Sequence, residues 1–273
     1  IGQEIKMYDD QPDWRLFFGT IGTMFKNNPV KIDIAGTVES IQDITKDDLY
    51  TCYETFYHPS NMLLFITGSI DENDIIALVE KNQAEKNFRA QEPVKRSYPD
   101  EPLEVAKIKD SIQMPISIPK TLVGLKVDPA HLQKDYIGKL KLVSQMVMDF
   151  YFSKSGEFYE KLYQEGLIEG DLTYEIHLEQ QFGFAVVGGD TKNPEKLAAT
   201  LQEMLLQIKQ QPIPEEDFQI MKKKRLGDLI RSLNSLEATA NQFIDYNHID
   251  LFYFDIFEQL HEMTKVQFDE IVS

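Results

Sequence analysis

Cysteine is all but missing. The 273 residues contain one, Cys52, so no disulfide can form within the chain, and a reducing, cytoplasmic setting is expected. No apolar run approaches the roughly 18 residues that a membrane-spanning helix needs, and no signal-peptide pattern is present. Cationic side chains are outnumbered, 28 Lys and Arg against 45 Asp and Glu, for a net charge of −17. A surface of that sign repels phosphate backbones and anionic lipid, which argues against nucleic acid and membrane as partners. It remains compatible with basic or peptide ligands. A phosphate-cradling loop is also absent, because Gly188-Gly189 has neither a following Lys nor a G-x-G-x-x-G context.

What is present is organised around residues 44–82. Thr45, with Asp48 three positions on, has the pattern of a helix N-cap. Leu49, Tyr50, Tyr53, Phe56 and Tyr57 follow at helical spacing until Pro59 and Asn61 end the helix. Residues 62–67 are a short apolar run, expected as a buried strand. Gly68 then turns the chain into a second helix whose first turn, Asp71, Glu72 and Asp74, suits the positive end of the helix dipole. Cys52 falls inside the first of these helices and is expected to be a buried structural thiol.

Upstream, residues 1–26 carry Ile5, Tyr8, Leu16, Phe17, Ile21, Met24 and Phe25, mostly on a helical stripe that Pro12 kinks or breaks. Trp14 is expected in the core. Residues 91–102 hold three prolines and few large aliphatics, the composition of a linker. Strands are predicted at 104–111, 121–127, 172–179 and 182–188. Helices are predicted at 132–152, 159–170, 194–209 and 215–233. The Lys222-Lys223-Lys224-Arg225 run is spread around its helix and reads as a solvated face.

The chain echoes itself. Met263-Thr264-Lys265 repeats Ile44-Thr45-Lys46 at a helix start, and Gly188-Gly189-Asp190-Thr191 repeats the strand, glycine, turn and helix order of residues 66–81. The expected organisation is two similar halves. Residues 1–90 are the end of the first, 91–102 join them, and 103–273 are the second half without its final strand and helix. The start on Ile1, with a helix under way, is expected of a fragment.

Glu4-Ile5-Lys6-Met7, Pro29, Gly36-Thr37, Ile41, Ile44-Thr45, Leu49, Phe56-Tyr57, Pro59, Asn61-Met62 and Gly68 resemble the later part of the catalytic half of the pitrilysin/insulinase peptidases, the inverzincins. The likeness is greatest to bacterial processing-protease-like members related to mitochondrial processing peptidase. Residues 160–174, 182–189 and 222–244 resemble the second half in the same order. The resemblance implies an α+β fold of two halves, each with helices packed on a mainly antiparallel sheet, the LuxS/processing-peptidase-like metallohydrolase fold. The halves close as a clamshell around a peptide substrate.

The implied activity is that of a zinc-dependent endopeptidase. Two histidines of an H-x-x-E-H motif hold the metal, and the Glu between them serves as general base. Glu4 matches the third ligand of that family. Tyr174 matches a Tyr that holds substrate backbone, although Tyr163 stands where the accompanying Arg is expected. The motif itself is missing. His58, His131, His177, His248 and His261 form no such pair, so the general base is expected upstream of Ile1. Zinc should bind weakly or not at all to this stretch, which is inactive as given. The alternative is a non-catalytic, peptide-binding partner subunit of the same family, and a homodimer or a paralogous subunit is the expected assembly. Asp9 and Asp10 read as turn or cap residues, His58 as structural, His177 as facing solvent in preference to the cleft, and His248 and His261 as too far apart for a helical metal pair.

Overall fold

The sequence of residues 182–190, FGFAVVGGD, is apolar on both of its alternating faces, which requires a strand covered from both sides. The computed structural model describes residues 1–86 and 88–273, the side chain of Asp135 excepted. In it this segment is the centre of an antiparallel sheet. The strands are β1 (Lys120–Val127), β2 (Leu172–Leu178) and β3 (Gly183–Asp190), in the order β1–β3–β2. Val123 pairs with Val187 in one ladder and Tyr174 with Val187 in the other.

The helices are α1 (Gly2–Asp9), α2 (Pro12–Met24), α3 (Lys46–Phe56), α4 (Glu72–Ala84), α5 (Lys134–Phe152), α6 (Glu157–Gln164), α7 (Pro194–Gln210), α8 (Glu215–Ser232), α9 (Leu236–Asn247), α10 (Asp255–Glu262) and α11 (Lys265–Val272). The architecture is α+β, with helices packed on a small antiparallel sheet.

One face of the sheet carries the main core. Leu197, Leu201, Met204 and Ile208 recur every three or four residues along α7, and Val143, Met146 and Val147 do the same on α5. They pack with Val123 and Val187, and Phe218, Leu260 and Phe268 of α8, α10 and α11 close the cluster. The opposite face is covered by α2 and the residues just after it. Ile21, Met24 and Phe25 are at most 2% exposed and pack on Phe184 and Val186. Each such side chain contributes about 2 kcal/mol by burial. Met24 lies so close over β1 that a Cβ on Gly124 would stand 2.5 Å from its sulfur, and the thioether would have to move to admit one.

The segment 91–102 has neither helix nor strand, yet it holds an almost wholly buried carboxylate. Glu101 accepts from the N–H groups of Lys26, Asn27 and Asn28 at 2.9, 2.6 and 2.7 Å. It also receives Lys126 Nζ at 2.5 Å, with both side chains no more than 5% exposed. Three successive N–H groups make a concave anion site, and the carboxylate fills it. The linker is thereby tied to the end of α2 and to β1 at one point.

Two expected strands did not form. Residues 62–67 are extended but have no strand partner among the described residues, and Met62, Leu63 and Leu64 are exposed. Phe65 is stacked on Phe243 of α9 at 4.4 Å. Residues 104–111 are likewise irregular. The Lys107 N–H bonds to Thr23 O of α2 at 2.9 Å instead of joining a ladder, and Ile108 is 94% exposed. An apolar run records a demand for burial, but a strand also needs a neighbouring backbone.

The helix after Thr45 forms with the expected capping box, and Thr264 makes the same box at α11. The N-cap of α4 is Asp71, which accepts from Asn73 and Asp74. The apolar face of α3 is exposed, however, and Cys52 is exposed with it, contrary to expectation. Trp14 is also not a core residue. It is half-buried, its indole N–H donates to Asp33 at 2.7 Å, and its ring lies against Tyr8 and Phe18. The basic run on α8 is more than a solvated face. Lys222 bonds to the His261 and Met263 carbonyls at 2.5 and 2.9 Å, and Arg225 bonds to Gln145. Ile230 at the end of the same helix and Leu233 just after it are exposed.

Burial raises a carboxyl, but at Glu101 the Lys126 ammonium and the three N–H groups outweigh it, bringing the group down from 4.5 to about 2. A depressed folded-state value stabilises fully above the unfolded value, and the contribution is lost as pH falls from about 4.5 towards 2. It is on the order of 3 kcal/mol. Glu101→Gln is expected to lower the Tm at neutral pH and to flatten its fall over that window. Melts of both proteins from neutral to acid pH test this, and parallel curves would rule Glu101 out as the acid-sensitive brace.

Candidate functional site

Glu4 lies in the first turn of α1, a helix pinned by the buried Ile5. Its carboxylate is 73% exposed, and among the described residues its ion-pair partner is the Ile1 amino group at 3.9 Å. Asp10 caps the end of α1, and Asp9 pairs with Arg15 of α2 at 3.0 Å, both structural roles. The break that Pro12 predicted separates α1 from α2, with the proline at the first turn of α2.

Tyr174 is half-buried on the other side of the sheet. Its neighbour across the ladder, Val187, belongs to the α5/α7 core, and its hydroxyl donates to Asp149 Oδ1 of α5 at 2.8 Å. Asp149 also meets Lys224 of α8 at 3.3 Å. Burial, and then the Asp149 carboxylate, push the Tyr174 phenol well above its usual range. Glu4 and Tyr174 are thus not brought together, since α1–α2 and α5 occupy opposite faces. Tyr163, at the position where Arg was expected, is 62% exposed and stacks on Tyr159, while Leu162 and Leu167 beside it are buried.

The histidines are scattered. His58 is held by Ser60 Oγ at 2.7 Å and the Arg89 carbonyl at 2.9 Å, a structural role at the end of α3. His177 faces the α2 side of the sheet, stacked on Phe184 at 4.8 Å and 3.0 Å from Glu175. His131, His248 and His261 are exposed. No group of three His, Cys, Asp or Glu side chains suited to a metal occurs among the described residues. A hydrolytic zinc takes three protein ligands, and no such set comes together among the described residues, so they do not by themselves fit the ion.

One feature was not foreseen from the sequence. A cavity of about 480 Å³ opens between the start of α2 and the sheet. Trp14, Phe17, Leu122 and Val186 form its apolar part, and Asp13, Asp171, Glu175, Asp190 and Lys120 supply its charged lining. Lys120 bonds to Asp190 at 2.6 Å and Asp13 at 3.0 Å, contacts that raise it despite the opposing effect of burial. The alternation of β2 (Thr173, Glu175, His177 on one face) was the available signal, but the helix that roofs it comes from far upstream.

Residues 43–225 match the family model described as the Peptidase M16 inactive domain, which is more than half of the chain. The chain is 45% identical, over all of its length, to the uncharacterized zinc protease YmfH of Bacillus subtilis, and spans 64% of that relative. The zinc protease PqqE of Helicobacter pylori is 22% identical over 87% of the chain and 53% of the relative. Among solved structures, an M16-like peptidase of Alicyclobacillus acidocaldarius superposes with a TM-score of 0.89 at 33% identity, covering 99% of this chain and 64% of that one. The likeness is therefore one of sequence as well as fold, and the chain belongs to the M16 peptidase family.

Proposed function

We propose that this chain is the non-hydrolysing part of a zinc-dependent endopeptidase, and that it lines a clamshell chamber in which peptides are bound. The observation that carries the reading is a contrast. The chain aligns from end to end with a relative named as a zinc protease, yet no three metal-binding side chains meet among its described residues. In the longer protein, Glu4 supplies a carboxylate to a metal whose other ligands and general base lie outside this sequence. The exposed apolar side chains of α3 and residues 62–66 offer a surface for that remaining part to cover. The expected setting is the cytoplasm, with a homodimer or a paralogous subunit as partner. Among the described residues no helix is long and apolar enough to cross a membrane.

A second reading is a non-catalytic peptide-binding subunit. Tyr163 in place of Arg favours it, as does a 22% identical relative over 120 residues that is named a probable inactive metalloprotease. Hydrolysis assays of this chain and of the longer protein separate the two. The chain alone is expected to bind no stoichiometric zinc and to cut no peptide. The longer protein is expected to cut peptides, to stop when a chelator is added, and to lose about 100-fold or more in kcat/KM on Glu4→Gln, since removal even of groups that only orient ligands costs 10–100-fold. Absent hydrolysis in the longer protein would establish the second reading, and chelator-insensitive hydrolysis would overturn the zinc assignment.

Tyr174 meets substrate in this proposal only if its hydroxyl leaves Asp149. Tyr174→Phe is expected to cost about 1–2 kcal/mol of stability with KM unchanged, the result for a brace. A raised KM at unchanged Tm would instead assign it to substrate.

A further inference from the structure

Three N–H groups and one ammonium converge where β1, the end of α2 and Glu101 meet. They are arranged as a fork. Glu101 Oε1 accepts from Lys26 N and Lys126 Nζ, and Oε2 accepts from Asn27 N and Asn28 N. Lys126 is 5% exposed, lies 5.0 Å from the centre of the Phe25 ring and also donates to the Pro102 carbonyl at 2.5 Å. Every member of the site is a donor, so its geometry specifies an anion with two coplanar oxygens. Nothing in that requirement ties the oxygens to residue 101.

Glu101 begins a strap, residues 101–119, that crosses α2 on its way to β1 with neither helix nor strand of its own. The other holds of the strap on α2 are slight. The Lys107 N–H meets the Thr23 carbonyl at 2.9 Å, Glu104 stands 3.8 Å from Lys26 between exposed side chains, and Ile112 lies against Gly19. Without the carboxylate, Lys126 is a buried ammonium facing three N–H groups. An uncompensated buried charge is costly enough to open the structure to water around it. Phe25, beside the ammonium, is the last anchor of α2 on the sheet, and Pro102 belongs to the strap. Water therefore reaches Lys126 when the end of α2 and the strap lift together.

We propose that the N–H groups of Lys26, Asn27 and Asn28 and the Lys126 ammonium form a carboxylate-binding site in which Glu101 is a tethered, replaceable ligand, and that its occupancy latches the strap and the end of α2 onto the sheet as one unit. A free carboxylate closes the latch when the tethered one is gone. The device belongs to this chain's own motions. It does not rest on hydrolysis, so its failure leaves the peptidase reading standing, and the reverse holds too.

Glu101→Ala removes a fragment the size of acetate, so acetate is the probe. Acetamide is the neutral control and chloride, at matched ionic strength, the spherical one. The readout is amide hydrogen exchange resolved by segment. In the variant, exchange of residues 20–28 and 103–112 is expected to rise together by about 10-fold or more, with α5 and β3 at their wild-type rates. Acetate is expected to slow both segments in step, by about 10-fold at ten times its Kd, and the two controls to leave them unchanged. Adding Lys126→Met should abolish the acetate effect. Acceleration spread evenly over the chain, segments that open at unrelated rates, or protection given equally by chloride or acetamide would each overturn the proposal. If Glu101→Ala does not fold, wild-type exchange in low denaturant decides instead. Residues 20–28 and 103–112 are then expected to open at one common rate before α5 and β3, and separate openings would overturn the latch.

Discussion

The constraint on which the structure depends is that β3 is apolar on both faces and so cannot lie on the surface of its sheet on either side. Residues 134–210 supply α5 and α7 for one face. The other face is covered by α2, from the opposite side of a proline-rich segment of some length. Ile21, Met24 and Phe25 therefore do for Phe184 and Val186 what α7 does for Val123 and Val187. That union is long-range in sequence, and apolar contact alone would fix it loosely. Glu101 fixes it tightly, because a carboxylate in the three N–H groups after α2, and on Lys126 of β1, has one geometry in which all its partners are satisfied.

Much of this was legible in the residues. The capping patterns at Thr45 and Thr264, the proline break before α2, the apolar stripes of α5 and α7 and the alternation of β2 each state a local rule that the structure obeys. What failed had a common cause. Residues 62–67 and 104–111 carry apolar side chains in strand-like runs, but pairing is a property of two segments and neither run contains its partner. The exposed Cys52 follows from the same limit, since α3 is amphipathic and nothing among the described residues lies on its apolar face. The role of Glu101 had no local signal at all, sitting among prolines and charges that read as solvated linker. The partners of Lys222 and Arg225 are equally distant in sequence, so their run looked like surface.

The candidate site divides along the same line. A motif comparison can say which residue type belongs at position 4 or 174, but chemistry needs groups within a few ångströms of one another. The sheet separates these two, with α1 on one side and Tyr174, Asp149 and Lys224 on the other. Tyr174 is thereby drawn into a buried network whose members satisfy each other. Glu4, in contrast, is left in water at the start of a helix whose anchor is its neighbour Ile5. A carboxylate placed that way has only a long, solvent-exposed ion pair to give up before coordinating something from outside, whereas the tyrosine would give up a half-buried hydrogen bond.

Charge decides what kind of joint α2 makes with the sheet. Apolar burial is non-directional and scales with area, so Ile21, Met24 and Phe25 lose their contact with Phe184 and Val186 by degrees. The carboxylate on Lys126 behaves differently. Both groups are buried, so a partial withdrawal leaves an ammonium with neither its carboxylate nor water, the least favourable of the arrangements. The joint is therefore shut or open to solvent, and positions between are penalised. Burial also sets it apart from the surface pairs of this chain. Those weaken steadily as salt screens them, whereas a pair enclosed by Phe25 and Pro102 is screened far less. Adhesion and the choice between shut and open are separable contributions, the first supplied by the apolar side chains of α2 and the second by one carboxylate and its donors.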